Sequence, residues 1–188
     1  MFGPHSDKFW YAAILEGNIA PFAQVIDAIA ASCRANPPML VVSDPVEYFN
    51  PMHDLCSALA SCVVACMPSD ARPPHLEYAI EQSGPEQPAQ QVLRLDAPAL
   101  ERKICAATRY ARLEREVARI NARSSGWRGD VERLFPAMEG AMWPATLSTP
   151  PFYESYGRAR IEAGAYGRLI TYADHVRPLA MRIVERYR

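Results

Sequence analysis

The chain lacks any run of about 18 consecutive apolar residues, the minimum for a membrane-crossing helix. Its first ten residues, MFGPHSDKFW, put a histidine, an aspartate and a lysine where an export signal would carry its apolar stretch. The reading is a protein addressed neither to a membrane nor for export, with a cytoplasmic location expected. The C-x-x-C pair that grips structural zinc is also missing: the five cysteines, an odd number, are Cys33, Cys56, Cys62, Cys66 and Cys105. Three of them lie among Ala, Leu and Val on one predicted helix, where a free cysteine acts as a small hydrophobe, so reduced thiols are expected. Lysine is scarce as well, at two of the 20 basic residues, and the arginine, alanine and proline excess fits a GC-rich bacterial coding sequence. A continuous basic face is absent. The first 96 residues hold 4 Lys+Arg against 11 Asp+Glu and the rest hold 16 against 10, but the later arginines alternate with Glu101, Glu114 and Glu116. Interleaving of that kind pairs charges along a helix rather than building the phosphate-binding stripe of a nucleic-acid protein. Neither nucleic acid nor membrane is expected as a partner.

What is present is a core-forming composition: 188 residues, 49% hydrophobic and 22% charged, enough for one buried core. Seventeen prolines and nine glycines divide the chain into alternating helices and strands without a repeat. Phe9 to Leu15 reads as a helix ending near Gly17. A second helix begins at Pro21 and carries Phe22, Val25, Ile26, Ile29 and Ala30 at helical spacing until Asn36-Pro37-Pro38 stops it. Met39 to Val42 is a continuous apolar run with β-branched members, which predicts a strand covered on both faces and hence a parallel sheet. Asn50 as N-cap and Pro51 as first residue open a helix to about Met67.

Further on, His75 to Ile80 and Gln91 to Leu95 read as short strands joined by a polar loop. Asp96 caps a long helix over about Pro98 to Ala122 with Leu100, Ile104, Ala107 and Val117 on its inner face. Val131 to Phe135 is a strand or a helical turn, and Pro136 to Pro151 a proline-rich loop. Tyr153 to Ala163 is helical up to Gly164. Thr171 and Asp174 form a capping box for a last helix that either begins near Arg177 or kinks at Pro178. The expected fold class is α/β, a Rossmann-like parallel sheet between helices, with a helical C-terminal extension. The domain limits read as 1–135 for the α/β unit, 136–151 for the loop and 152–188 for helices packed on the same domain.

In such a fold ligands meet the chain where strand C-termini face helix N-termini. The segment LVVSDPVEYFNPMHDL puts Ser43, Asp44, Glu47, Tyr48, Asn50, His53 and Asp54 at one such junction. In the first helical turn the dipole disfavours an imidazolium, which suits His53 to bind metal in its neutral form. Asp54 is placed to orient a substrate, support a ligand or complement the dipole, and Asn50 to cap the helix or donate to an oxyanion. His75 and His175 read as exposed. The tyrosines of PFYESYG, with Tyr166 and Tyr172, can stack on a sugar, line a pocket or seal a core edge.

The order of strand, acidic and aromatic loop, then N-P-M-H-D opening a helix resembles the second motif of the LmbE-like (PIG-L) zinc deacetylases, usually H-P-D-H. A strand ending at Leu95-Asp96 and the following ALERKICAATRYARL resemble that family's later half, so that the likeness covers about Pro21 to Phe135. It implies a metal-dependent amide hydrolase acting on an N-acylated sugar-like small molecule, with Zn2+ held by His53. Asn50 falls near the oxyanion, and Met52 stands where the family has aspartate. The family's first motif, H-P-D-D-E, has Pro4-His5-Ser6-Asp7-Lys8 as its only counterpart, which would make His5 a second metal ligand and Asp7 the base. Lys8 stands there in place of a metal-binding carboxylate. Three readings follow: such a hydrolase, truncated or inactive; an α/β binding or interaction domain that has lost the metal site; or an unrelated α/β protein. A half-fold would expose apolar strand edges for a second copy or a partner chain to cover.

Overall fold

In the computed structural model, residues 5–78, 88–109, 130–137 and 143–188 are described. Helix α1 spans Asp7–Leu15 and ends at Gly17, whose φ of +62° is the left-handed turn that glycine makes cheaply. The N–H of Gly17 bonds Ile14 O at 3.1 Å and that of Asn18 bonds Ala13 O at 2.9 Å, which satisfies two helix-end carbonyls. Helix α2 runs Ala20–Ala35 with Pro21 in its first turn, and buries Phe22, Ile26 and Ala30 at i, i+4, i+8. Strand β1 (Val41–Ser43) leads through a turn to α3 (Pro51–Ala65).

The remaining elements are β2 (His75–Glu77), β3 (Gln91–Arg94), α4 (Ala97–Arg109), β4 (Val131–Pro136) and α5 (Phe152–Glu162), then α6 (Arg177–Arg186). A π-helical turn, Tyr172–Val176, precedes α6. The Thr171 side chain accepts from Asp174 N at 3.2 Å, so the predicted cap starts this turn. Pro178 then falls in the first turn of α6, where its missing N–H costs nothing. The long helix predicted to Ala122 is described as far as Arg109, and its further residues, like the loop between β2 and β3, lie outside the described residues.

Among the described residues four strands form one mixed sheet in the order β1-β2-β4-β3. Only β1 and β2 are parallel, with Val42 opposite Leu76; β2 with β4 and β3 with β4 are antiparallel. The class is therefore mixed α/β, and the expectation of a parallel sheet is corrected. The apolar run at Met39 to Val42 suggested a doubly covered strand, but β1 is an edge. Met39 is 93% exposed and Val42 48%. Likewise no residue of α4 is buried, so the inner face expected at Leu100 and Ile104 is not a core face; Lys103 meets Glu132 of β4 at 2.8 Å.

The core lies on the helical side. Ile14 of α1, Phe22 and Ile26 of α2, Leu55 and Val63 of α3 and Leu179 and Ile183 of α6 join one apolar cluster, with Trp143, Tyr153 and Tyr172 closing it. Helix α3 packs against α2 and α6 on one side and against β1 and β2 on the other, which explains why it is apolar almost all round. Among the described residues no single helix is long and apolar enough to cross a membrane. All five cysteines are free thiols, with Cys62 buried.

Candidate functional site

The turn between β1 and α3 is held by a carboxylate inside the protein. Asp54 is fully buried, and its Oδ1 accepts from the N–H groups of Glu47 and Tyr48, each at 3.0 Å. Tyr48 has a φ of 57°, the sole left-handed non-glycine residue among those described. A tyrosine pays for that conformation, and the double hydrogen bond to Asp54 holds it there. Asn50 then caps α3, accepting from Met52 N at 2.9 Å. Burial raises the Asp54 pKa from 3.8 to about 7, against the two backbone donors that lower it. The other oxygen, Oδ2, has no hydrogen-bond partner among the described residues, nor has the buried Tyr153 hydroxyl.

One residue before Asp54, the His53 ring points the other way. Its Nδ1 lies 3.0 Å from Oδ2 of Asp44, the first residue after β1, and the side chain is 49% exposed. A carboxylate accepting at Nδ1 fixes that nitrogen as the N–H, so the neutral ring carries its lone pair on Nε2. The hydrogen bond to Asp44 is the main cause that raises the His53 pKa, partial burial opposing it. An aspartate-oriented, half-exposed imidazole can take a proton from a water or an alcohol, or give its Nε2 to a metal.

Two cavities flank this helix start. A groove of about 310 Å³ between α2 and α3 over β1 has Ser43, Asp44 and Cys56 along one part of its wall and apolar side chains along the rest. On the other flank a cleft of about 780 Å³ is lined by Tyr11, Tyr153, Tyr156 and Tyr166, with Pro51 of α3 and the charged Asp7, Lys8 and Arg168. The rings of Tyr156 and Tyr166 meet edge to face at 6.4 Å, and Arg160 sits over Tyr166 at 5.6 Å.

Beneath α3 runs a polar seam. Ser57 donates to the buried Glu77 at 2.6 Å, while His75 Nε2 lies 2.9 Å from Ser43 Oγ and its Nδ1 3.5 Å from Ser61 Oγ. Burial lowers the His75 pKa and raises that of Glu77. His75 was read as exposed because two prolines precede it. It is instead half-buried, since alternation along β2 turns it with Glu77 toward α3. His175 is half-buried too, its Nδ1 accepting from Thr171 N at 3.1 Å in the turn before α6.

The predicted site residues therefore separate into four settings. His53 joins Asp44, Asp54 and Asn50 shape the turn, and Asp7 lines the tyrosine cleft. His5 stacks on Phe9 with ring centroids 4.0 Å apart and meets Trp10 edge-on. Among the described residues no group of three or more His, Cys, Asp or Glu side chains could hold a metal ion, and His53 and His5 have different neighbours, Asp44 for the one and Phe9 with Trp10 for the other. The carboxylate that orients His53 is Asp44, not the adjacent Asp54: adjacency on a helix turns side chains about 100° apart, and a residue nine positions away across a turn comes within 3.0 Å. Two serines four apart on an otherwise apolar helix, Ser57 and Ser61, were the legible sign of the polar seam.

The fold and this junction define a mixed α/β protein with an aspartate-oriented histidine at the start of a central helix. Compared with family models, with curated proteins and with solved structures, the chain matches none.

Proposed function

We propose that the β1–α3 junction is a hydrolytic site for the acyl-amide bond of an N-acylated, sugar-like small molecule, with His53 as the proton-handling residue. The observation that carries this reading is the 3.0 Å contact of His53 Nδ1 with Asp44 on a half-exposed ring. Neutral Nε2 takes a proton from water as the water oxygen attacks the acyl carbon; the carbon–nitrogen bond then breaks, and the proton passes from His53 to the departing amine. The products are a carboxylic acid and a free amine. The likeness of Asn50-Pro51-Met52-His53 to the second LmbE-like motif supports the same bond type, and no step here runs through zinc. The four phenol rings of the neighbouring cleft suit the apolar face of a sugar ring, with Asp7, Lys8 and Arg168 for its hydroxyls.

Release of free amine from N-acyl-glucosamines tests this. Turnover that falls at least about a hundredfold in His53→Ala supports it, and turnover unchanged in the folded variant refutes it.

A second reading, a binding domain without catalysis, is favoured by one observation: Asp54 and Asn50 are engaged in shaping the turn. It predicts that N-acyl-glucosamines bind in the tyrosine cleft and are recovered intact, with affinity lost in Tyr156→Ala and Tyr166→Ala.

A further inference from the structure

The groove beside His53 bears on which acyl group the site takes, an inference that rests on the hydrolytic reading above. Two helical stripes face each other across it. On α2, Val25, Ile29 and Cys33 recur every four residues, and on α3, Cys56, Ala60 and Val63 recur every three or four; Val41 and Val42 of β1 form the floor. Projected back along α3, the second stripe reaches His53 three residues before Cys56, so the histidine stands at the head of the row. The Asp44 that orients His53 is itself part of the groove wall. Asp44 thus links the groove to His53, and apart from Ser43 and Asp44 the wall is lined by apolar side chains and the thiols Cys33 and Cys56.

We infer that the groove holds the hydrocarbon chain of a medium-chain acyl group whose carbonyl lies against His53, so that the substrates are N-acyl amines with chains of about eight carbons rather than acetyl amides. Two measures of size agree. At about 30 Å³ for each water-sized group, the space of about 310 Å³ takes about ten heavy atoms. From Cys56 to Val63 the helix rises about 10 Å, and an extended chain covering about 3.5 Å per three bonds spans that with roughly nine bonds. An acetyl group would leave Ile29 and Ala60 with water against them, and each methylene that replaces this water adds about two- to fourfold in affinity.

Binding of neutral amides to the full chain, followed by ligand-observed NMR, tests the inference separately from turnover. The probes are acetamide, butanamide and octanamide. Octanamide is expected to bind at least about 15-fold more tightly than butanamide, with the preference kept in His53→Ala. Ala60→Phe, which fills the groove, is expected to weaken octanamide at least tenfold; Ile29→Glu, at an already exposed position, does the same without stressing the core. Equal binding of butanamide and octanamide, no octanamide binding, or octanamide binding unchanged in both folded variants overturns the inference. If octanamide binds in the groove while N-octanoyl- and N-acetyl-glucosamine are both left intact, the hydrolytic reading fails and the groove stands. If N-acetyl-glucosamine is hydrolysed at His53 while octanamide does not bind, the groove fails and the hydrolytic reading stands.

Discussion

Tyr48 and Asp54 are joined across six residues by a hydrogen bond of 3.0 Å that holds the Tyr48 backbone in the left-handed region. The same carboxylate oxygen holds Glu47 N, so one buried side chain fixes two N–H groups of the turn that presents Asp44 to His53, beside the Phe152 N–H bond to Tyr48 O. Replacing Asp54 by Ala strands two backbone donors and releases the strain at Tyr48. A loss of about 2–3 kcal/mol in urea unfolding is expected, with a weaker Asp44–His53 contact. A loss under about 0.5 kcal/mol contradicts this role for Asp54.

Asp54 also makes stability depend on pH. Its folded pKa of about 7 lies above the ordinary 3.8, so the favourable contribution is whole below pH 4 and is lost as pH rises through 7. Unfolding measured from pH 4 to 8 should show this decline, on the order of 4 kcal/mol if Asp54 acts alone, and Asp54→Asn should flatten it. A variant with the same slope as the parent sinks the assignment.

Glu77 depends on Ser57 for the one hydrogen bond described at its carboxylate. Ser57→Ala removes a donor that favours the charged form and so pushes an already raised pKa higher. The expected cost is about 1–2 kcal/mol, larger at pH 8 than at pH 5, because the stranded carboxylate is charged at the higher pH. Equal cost at both values argues that Glu77 stays neutral throughout.

Gly17 tests the end of α1. Its φ of +62° penalises any Cβ, and an added one would meet Arg182 Nη1 at 3.3 Å, the group that donates to Gly17 O at 2.9 Å. Gly17→Ala should cost about 1–2 kcal/mol in thermal or urea unfolding.

How much of this was legible follows from the range of each signal. Proline at the first helical turn, Asn50 as cap and glycine after α1 act within a few residues, and the ends of α2, α3 and α6 came out close to expectation. Sheet order depends on distant pairing. A short apolar run such as Leu40-Val41-Val42 has the same composition in a central strand as at an edge, so neither the antiparallel β4 nor the exposure of β1 could be read from it. The junction itself was visible as a concentration of polar groups between a strand and a helix. Which carboxylate served His53 and which served the backbone was set by the left-handed step at Tyr48, which has no glycine to announce it.

The central claim is that Asp44 sets the proton affinity of His53 and that His53 Nε2 accepts the proton during amide hydrolysis. The pair contributes stability below about pH 6.5 that is lost as pH rises through the raised pKa, whereas catalysis needs the neutral ring and gains over the same range. The direct test is kcat/KM for N-octanoyl-glucosamine as a function of pH in the parent, Asp44→Asn and His53→Gln. The account predicts an acidic limb that moves to lower pH in Asp44→Asn, and a rate at least about a hundredfold lower in His53→Gln with the limb gone. An acidic limb at the same pH in Asp44→Asn, with the parent rate retained in His53→Gln, contradicts it.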